Sequence, residues 1–213
     1  MRAVIFVNGI ITNYASTTAW LRADDLLICA NGGTRHCLAL GRVPHALVGD
    51  LDSIDAVTAQ QLAGQGVIFE RHPRAKDETD LELAVAYAVR QGVQRVLLLG
   101  ALGGRLDQMV ANLLMMARTD WPVRMMLADE QQLAQVVAAG EQLTLEAPMG
   151  STVSVIPLTA TVTGITYTGL EYPLTNHTLL LGSTRGVSNV IIGSPATIQV
   201  ASGLLLVVQT FAV

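Results

Sequence analysis

The sequence predicts an α/β domain on a doubly wound, mostly parallel sheet with helices on both faces, followed by an all-β sandwich. Three observations carry this. As far as about residue 128, short aliphatic runs alternate with helical patterns, as in parallel strands joined by crossover helices. Beyond residue 129 the pattern becomes Thr-rich alternation broken by turn residues at short intervals, which is antiparallel β. Charge changes at the same place: twelve of the thirteen Lys and Arg residues precede position 125, and after Ala128 the sole basic side chain is Arg185. Domains are therefore expected at 1–130 and 131–213, with the boundary between about 129 and 140.

In the first domain, strands are expected at 3–7, 26–30, 46–49, 67–70, 96–100 and 123–127. The helix over 80–90 has its start marked by Thr79 and Glu82, spaced as a capping box, and sets Leu81, Val85, Ala88 and Val89 on one face. A second helix over 106–118 carries Leu106, Met109, Val110, Leu113, Leu114 and Ala117 at helical spacing, and its methionines read as core filler. In the second domain, strands are expected at 142–145, 152–156, 161–167, 178–181, 196–200 and 204–210, forming a small sandwich or open barrel.

Composition excludes several classes. The 213 residues are 51% hydrophobic and 14% charged, with a formal charge of −4, so the chain folds and is expected to be soluble. No apolar run approaches the roughly 20 residues that cross a bilayer, and Asn8-Gly9 breaks the apolar start, which reads as a first strand and not a secretory leader. Cys29 and Cys37 form neither a C-x-x-C pair nor a disulfide framework, which favours a reducing, cytoplasmic setting. An acidic balance with 4% aromatics offers nucleic acid neither a basic stripe nor a stacking platform. The four histidines lack metal-ligand spacing, and there is no P-loop, no G-x-G-x-x-G after the first strand and no G-x-S-x-G elbow.

Four segments can carry chemistry, each where a strand ends or a helix begins, the edge where ligands of open α/β sheets gather. Asn31-Gly32-Gly33 lets a phosphate or base approach the backbone, although a glycine pair is also an ordinary tight turn. In Gly49-Asp50-Leu51-Asp52-Ser53, an extended backbone would point Asp50 and Asp52 the same way, and their mutual repulsion calls for something cationic between them. Helix capping by Asp52 or Ser53 would explain one acidic residue but not both. Lys76-Asp77-Glu78-Thr79-Asp80 holds the only lysine of the chain. It reads either as an acidic first helical turn favoured by the macrodipole or, with the Asp50 segment, as a hard-cation site of the kind that bridges Mg²⁺ to phosphates. Gly100 to Gln108 is a glycine-rich turn with Arg105 at the helix start, suited to cradling phosphate.

Taken together, Gly49-Asp50-Leu51-Asp52-Ser53, Lys76-Asp77-Glu78-Thr79-Asp80 and Gly103-Gly104-Arg105-Leu106-Asp107-Gln108, in this order and spacing, resemble the thiamine pyrophosphokinase family. Gly169-Leu170-Glu171-Tyr172-Pro173-Leu174 and Gly186-Val187-Ser188-Asn189 look like its C-terminal motifs, so the likeness covers most of the chain. The resemblance implies transfer of pyrophosphate from ATP to the hydroxyl of thiamine, with release of AMP, by a homodimer whose active sites lie between subunits. It implies Mg²⁺ held by Asp50, Asp52 and Asp80, and catalytic roles for these three and Arg105, with Asp80 a candidate acceptor of the hydroxyl proton. On the ATP side it places Asn31, Ser53, Thr79, Arg105 and Asp107, with the amides of Gly32, Gly33, Gly103 and Gly104. On the thiamine side it places Lys76, Asp80, Tyr172, Ser188 and Asn189. Thiamine is a permanent cation, which acidic groups and an aromatic ring attract without any basic surface. One departure stands out: where the family usually has Asp before the Gly-Gly pair, this chain has Asn31, which can accept a hydrogen bond but removes a negative charge and cannot take a proton. Two other readings use the same residues, a non-catalytic thiamine or nucleotide sensor and a Mg²⁺-dependent phosphohydrolase.

Overall fold

A computed structural model of the protein describes residues 1–212. The chain divides into two compact units, Met1–Glu130 and Gln131–Val213. In the first, strands β1 (Arg2–Phe6), β2 (Leu26–Ala30), β3 (Ala46–Gly49), β4 (Ile68–Arg71), β5 (Arg95–Leu99) and β6 (Arg124–Asp129) are ordered β6-β5-β1-β2-β3-β4. Every pairing is parallel. The central strands are apolar on both faces, with Ala3, Val4, Ile5 and Phe6 fully buried, because crossover helices cover both sides of a parallel sheet. Strand order reverses direction between β1 and β5, so right-handed crossovers put the connection from β4 to β5 on the opposite face from those joining β1 to β4. That reversal is where ligands of such sheets bind.

The helices are α1 (Tyr14–Thr18), α2 (Thr34–Ala39), α3 (Ala56–Gly64), α4 (Asp80–Arg90) and α5 (Leu106–Met115). Thr79 caps α4 as expected, its Oγ1 accepting from the Glu82 amide at 3.1 Å. The Glu82 carboxylate accepts from Arg118. Helix α3 corrects the capping alternative: its N-cap is Asp55, which accepts from the Thr58 amide at 2.9 Å and the Thr58 hydroxyl at 2.6 Å. Neither Asp52 nor Ser53 is used for that purpose. Helix α5 is rolled from the face its apolar spacing predicts. Leu106, Val110 and Leu114 are exposed, while Asn112 and Met116 are buried, and Asn112 Nδ2 donates to the Ala101 carbonyl at 2.8 Å.

The second unit has two antiparallel sheets, as the sandwich expectation requires. One runs β12 (Asn189–Val190), β9 (Thr152–Pro157), β14 (Leu205–Thr210), β7 (Gln132–Val137); the other runs β11 (His177–Leu180), β10 (Thr161–Thr168), β13 (Thr197–Gln199), β8 (Gln142–Thr144). Two of the eight are unexpected: β12 is a two-residue strand, and β7 fills the stretch read as a boundary. Val153 and Val155 of β9, Ile198 of β13, and Leu205 and Val207 of β14 build the core. In β10 the buried residues are Val162, Ile165 and Tyr167, out of strict alternation, because the register shifts at a bulge between Val162 and Ile165. Gly164 takes φ +66 there, a conformation that suits glycine.

Candidate active site

A cleft of about 590 Å³ in the first unit opens at the carboxyl ends of β1 to β5, across the point where strand order reverses. Its floor is made by two loops that continue the pairing of β1 and β5 past the strands. The Gly9 amide donates to the Gly100 carbonyl at 2.7 Å and the Ile10 amide to the Leu102 carbonyl at 2.8 Å. A Cβ on Gly9 would lie 2.2 Å from the Leu102 carbonyl oxygen, so the two loops touch only because residue 9 has no side chain.

The Asn31-Gly32-Gly33 turn leaves β2 with Asn31 at φ +44, a left-handed conformation that Asn tolerates. A Cβ on Gly33 would stand 2.0 Å from the Phe6 carbonyl oxygen, so this turn needs glycine to pack on the end of β1. The turn presents Asn31 Nδ2 to two carboxylates, Asp50 Oδ1 at 2.8 Å and Asp52 Oδ1 at 3.3 Å. Asp50 and Asp52 converge, but not through an extended segment: Leu51 adopts φ +60 and buries its side chain. A kink with an inward leucine thus brings the acids together. The Asn31 amide and then the Ser53 hydroxyl, which donates at 3.1 Å, hold the Asp52 carboxyl below the usual range. The Asn31 amide nitrogen is a neutral donor shared by the two carboxylates. Asn31 Oδ1 is buried with no hydrogen-bond partner.

Asp80, in the first turn of α4, reaches the same place from the other side. A Cβ on Gly49 would lie 2.9 Å from the Asp80 carboxyl carbon and 3.1 Å from Asn31 Cβ, so glycine at the end of β3 lets both side chains close in. Lys76 Nζ donates to Asp80 Oδ1 at 2.7 Å, with Lys76 only 12% exposed. The solitary lysine is therefore a partly buried partner for the acid of α4. Among the described residues, no three His, Cys, Asp or Glu side chains gather closely enough to hold an ion by themselves.

Of the remaining expected residues, Gly32, Thr79, Gly103, Gly104 and Arg105 line the cleft. Arg105 Nε pairs with Asp107 Oδ1 at 3.1 Å on the exposed start of α5. This raises the affinity of Arg105 for its proton and lowers that of Asp107. Asp52, Ser53, Gly33 and Asp107 lie outside the lining, and Ser53 faces a smaller neighbouring hollow. The lining adds Asn8, Arg35, Arg74 and Gln108, to which the sequence reading gave no role. Arg35 is fixed by donating to the Gly9 carbonyl at 2.7 Å; its only signal in the sequence is its place just after the glycine pair. Arg74, close enough to Asp52 to favour that carboxylate, stands two residues before Lys76.

In the second unit, Asn189 accepts from the Tyr172 amide at 2.9 Å and donates to the Tyr172 carbonyl at 2.8 Å. It also accepts from its neighbour, the Val190 amide, at 2.9 Å. With its polar atoms engaged in this way, Asn189 holds Tyr172, a residue 62% exposed. Ser188 sits at φ +63, its amide donating to Ser154 Oγ at 3.1 Å.

Two family models match the chain: thiamin pyrophosphokinase, catalytic domain, over residues 17–127, and thiamin pyrophosphokinase, vitamin B1 binding domain, over residues 141–205. Among curated proteins, the thiamine pyrophosphokinase of Bacillus subtilis is 28% identical over 194 residues, covering 91% of each chain. Among solved structures, the Bacillus subtilis thiamine pyrophosphokinase superposes with a TM-score of 0.86 at 26% identity over the whole of both chains. The thiamin pyrophosphokinase of Geobacillus thermodenitrificans gives 0.81 at 30% identity, covering all of this chain and 98% of that one.

Proposed function

The chain belongs to the thiamin pyrophosphokinase family, and we propose that the cleft at the carboxyl edge of its first unit is where it works. Its reaction is the transfer of the pyrophosphoryl group of ATP to the hydroxyl of thiamine, giving thiamine diphosphate and AMP. Neither a sensor nor a phosphohydrolase is favoured, since the relatives are named pyrophosphokinases. The observation that carries the site assignment is the convergence of Asp50 and Asp52 on Asn31 at the ends of β2 and β3, with Asp80 close by at Gly49, beside a cleft that Arg105 also lines.

Asp50 and Asp52 would hold Mg²⁺, with Asp80 facing them. The fit rests on chemistry: the two carboxylates already aim at one shared donor atom, and hard oxygen ligands suit this ion. When bound, the ion neutralises triphosphate charge. The other tasks fall to side chains and backbone. The amides of Gly32, Gly103 and Gly104 approach the phosphates, and Arg35, Arg74 and Arg105 balance the charge at the cleft walls. Asp80, oriented by Lys76, receives the proton of the thiamine hydroxyl. Positioning and charge supply most of the acceleration, as is usual for phosphoryl-type transfer.

In the second unit, Tyr172 and Ser188 contact thiamine, and Asn189 fixes the tyrosine. The active enzyme is a homodimer with active sites between subunits; the exposed Leu180, Leu181, Val187 and Ile192 are apolar surface for a partner to cover. It works in the cytoplasm, in keeping with two free, buried cysteines. Among the described residues no helix is long and apolar enough to cross a membrane. The test of the site is Asp52→Asn and Asp50→Asn in an assay of AMP released from ATP, Mg²⁺ and thiamine. Turnover is expected to fall by about two orders of magnitude or more, with an unchanged circular dichroism spectrum. Wild-type turnover in both variants removes the assignment.

A further inference from the structure

Asn31 has an unusual set of contacts. Its Nδ2 donates to both Asp50 and Asp52, at 2.8 and 3.3 Å, while its Oδ1 is buried with no partner. A carboxamide turned the other way would set its oxygen against two carboxylates, so charge dictates the donor orientation even though it strands the oxygen. The residue cannot easily withdraw: its backbone is held at φ +44, Thr34 Oγ1 donates to its carbonyl at 2.8 Å, and its Cβ sits against Gly49.

We infer that Asn31 is a built-in placeholder for the divalent cation. Its amide group occupies the point on which Asp50 and Asp52 converge and relieves their repulsion in the free protein, so an ion must displace it to enter. The inference rests on the reading of Asp50 and Asp52 as cation ligands. Its consequence is a free site of low cation affinity, set by the amide and not by the acids alone. The cation then loads together with the nucleotide, whose phosphates add the ligands that two carboxylates lack.

The test is Mn²⁺ binding to the nucleotide-free protein, followed by calorimetry and by the electron paramagnetic resonance of the free ion. Asn31→Gly keeps the left-handed backbone and removes the donor; Asn31→Asp replaces the donor with a charge. Mn²⁺ affinity is expected to rise about threefold to tenfold in Asn31→Gly and by more than about tenfold in Asn31→Asp. Affinity unchanged in both overturns the inference, and so does affinity lowered in Asn31→Gly, which would make the amide a ligand. Asp52→Asn separates the two readings. If it abolishes Mn²⁺ binding while Asn31→Gly matches wild type, only the placeholder role fails. If it leaves Mn²⁺ binding intact, the assignment of the cation to this pair fails with it.

Discussion

Replacing Gly33 by Ala adds one methyl group where the chain has no room. The new Cβ would lie 2.0 Å from the Phe6 carbonyl oxygen, 2.5 Å from its carbon and 3.0 Å from the Val7 nitrogen, all backbone atoms of β1 and the loop after it. Carbon and oxygen settle at about 3.3 Å or more, so the turn or the end of β1 must move by more than about 1 Å. Overpacking of this kind costs about 1–3 kcal/mol, which for a chain of this size lowers Tm by about 2–12 °C. The same displacement exceeds what the Asn31 contacts at 2.8 and 3.3 Å tolerate, and a misplacement of about 1 Å lowers turnover about 100-fold. Two companion variants isolate the cause. Gly32→Ala would first meet the Asn8 side chain, at 2.5–2.7 Å, which can rotate away, so a milder loss is expected. Gly104→Ala meets nothing within 4 Å but sits at φ +79, a strain of about 1 kcal/mol. Thermal melts and the AMP assay on all three should rank Gly33→Ala as the most damaged. A Gly33→Ala protein with wild-type Tm and turnover would refute the close-packing account of the turn.

Other expectations follow from single contacts. Arg2 and Asp25 form a bidentate pair at 2.8 and 2.6 Å, 7% and 1% exposed, so Arg2→Met strands a buried carboxylate and should cost about 3–5 kcal/mol in urea unfolding; a change below about 1 kcal/mol counts against that. Burial alone would raise the Glu70 carboxyl, but Arg90 and His72 outweigh it and hold it below the usual range. Its contribution to stability is therefore present above the unfolded value of about 4.3 and lost as pH falls through the lower folded value. The stability gap between wild type and Arg90→Met should accordingly narrow between about pH 5 and pH 3, and a gap independent of pH would contradict it. Tyr172→Ala should raise KM for thiamine by up to about 30-fold with little change in kcat, while Tyr172→Phe stays near wild type; equal effects of the two would place the contact at the hydroxyl and not the ring.

What could be read from the sequence was local or periodic. Runs of β-branched and aliphatic residues mark strands wherever both faces are buried, and all six strands of the first unit lie close to where those runs placed them. Thr79 with Glu82 marks the start of α4 because a cap acts within one turn. The glycine pairs and acids fall on one edge because a parallel sheet delivers every strand end to the same side. The tertiary structure decided the rest, where partners distant in the chain compete. Asp55 and not Asp52 caps α3. Asn112 turns inward to Ala101 on an α5 whose apolar stripe stays exposed. Lys76 spends its charge on Asp80, and a left-handed Leu51 turns Asp50 and Asp52 toward the amide of Asn31. Lys76 and Asp80 stand four residues apart and Asp55 and Thr58 three apart, but the same spacings fit competing partners, so spacing alone does not select among them. Each depends on which polar atom stands nearest once the strands have assembled, and that distance exists only in the folded chain.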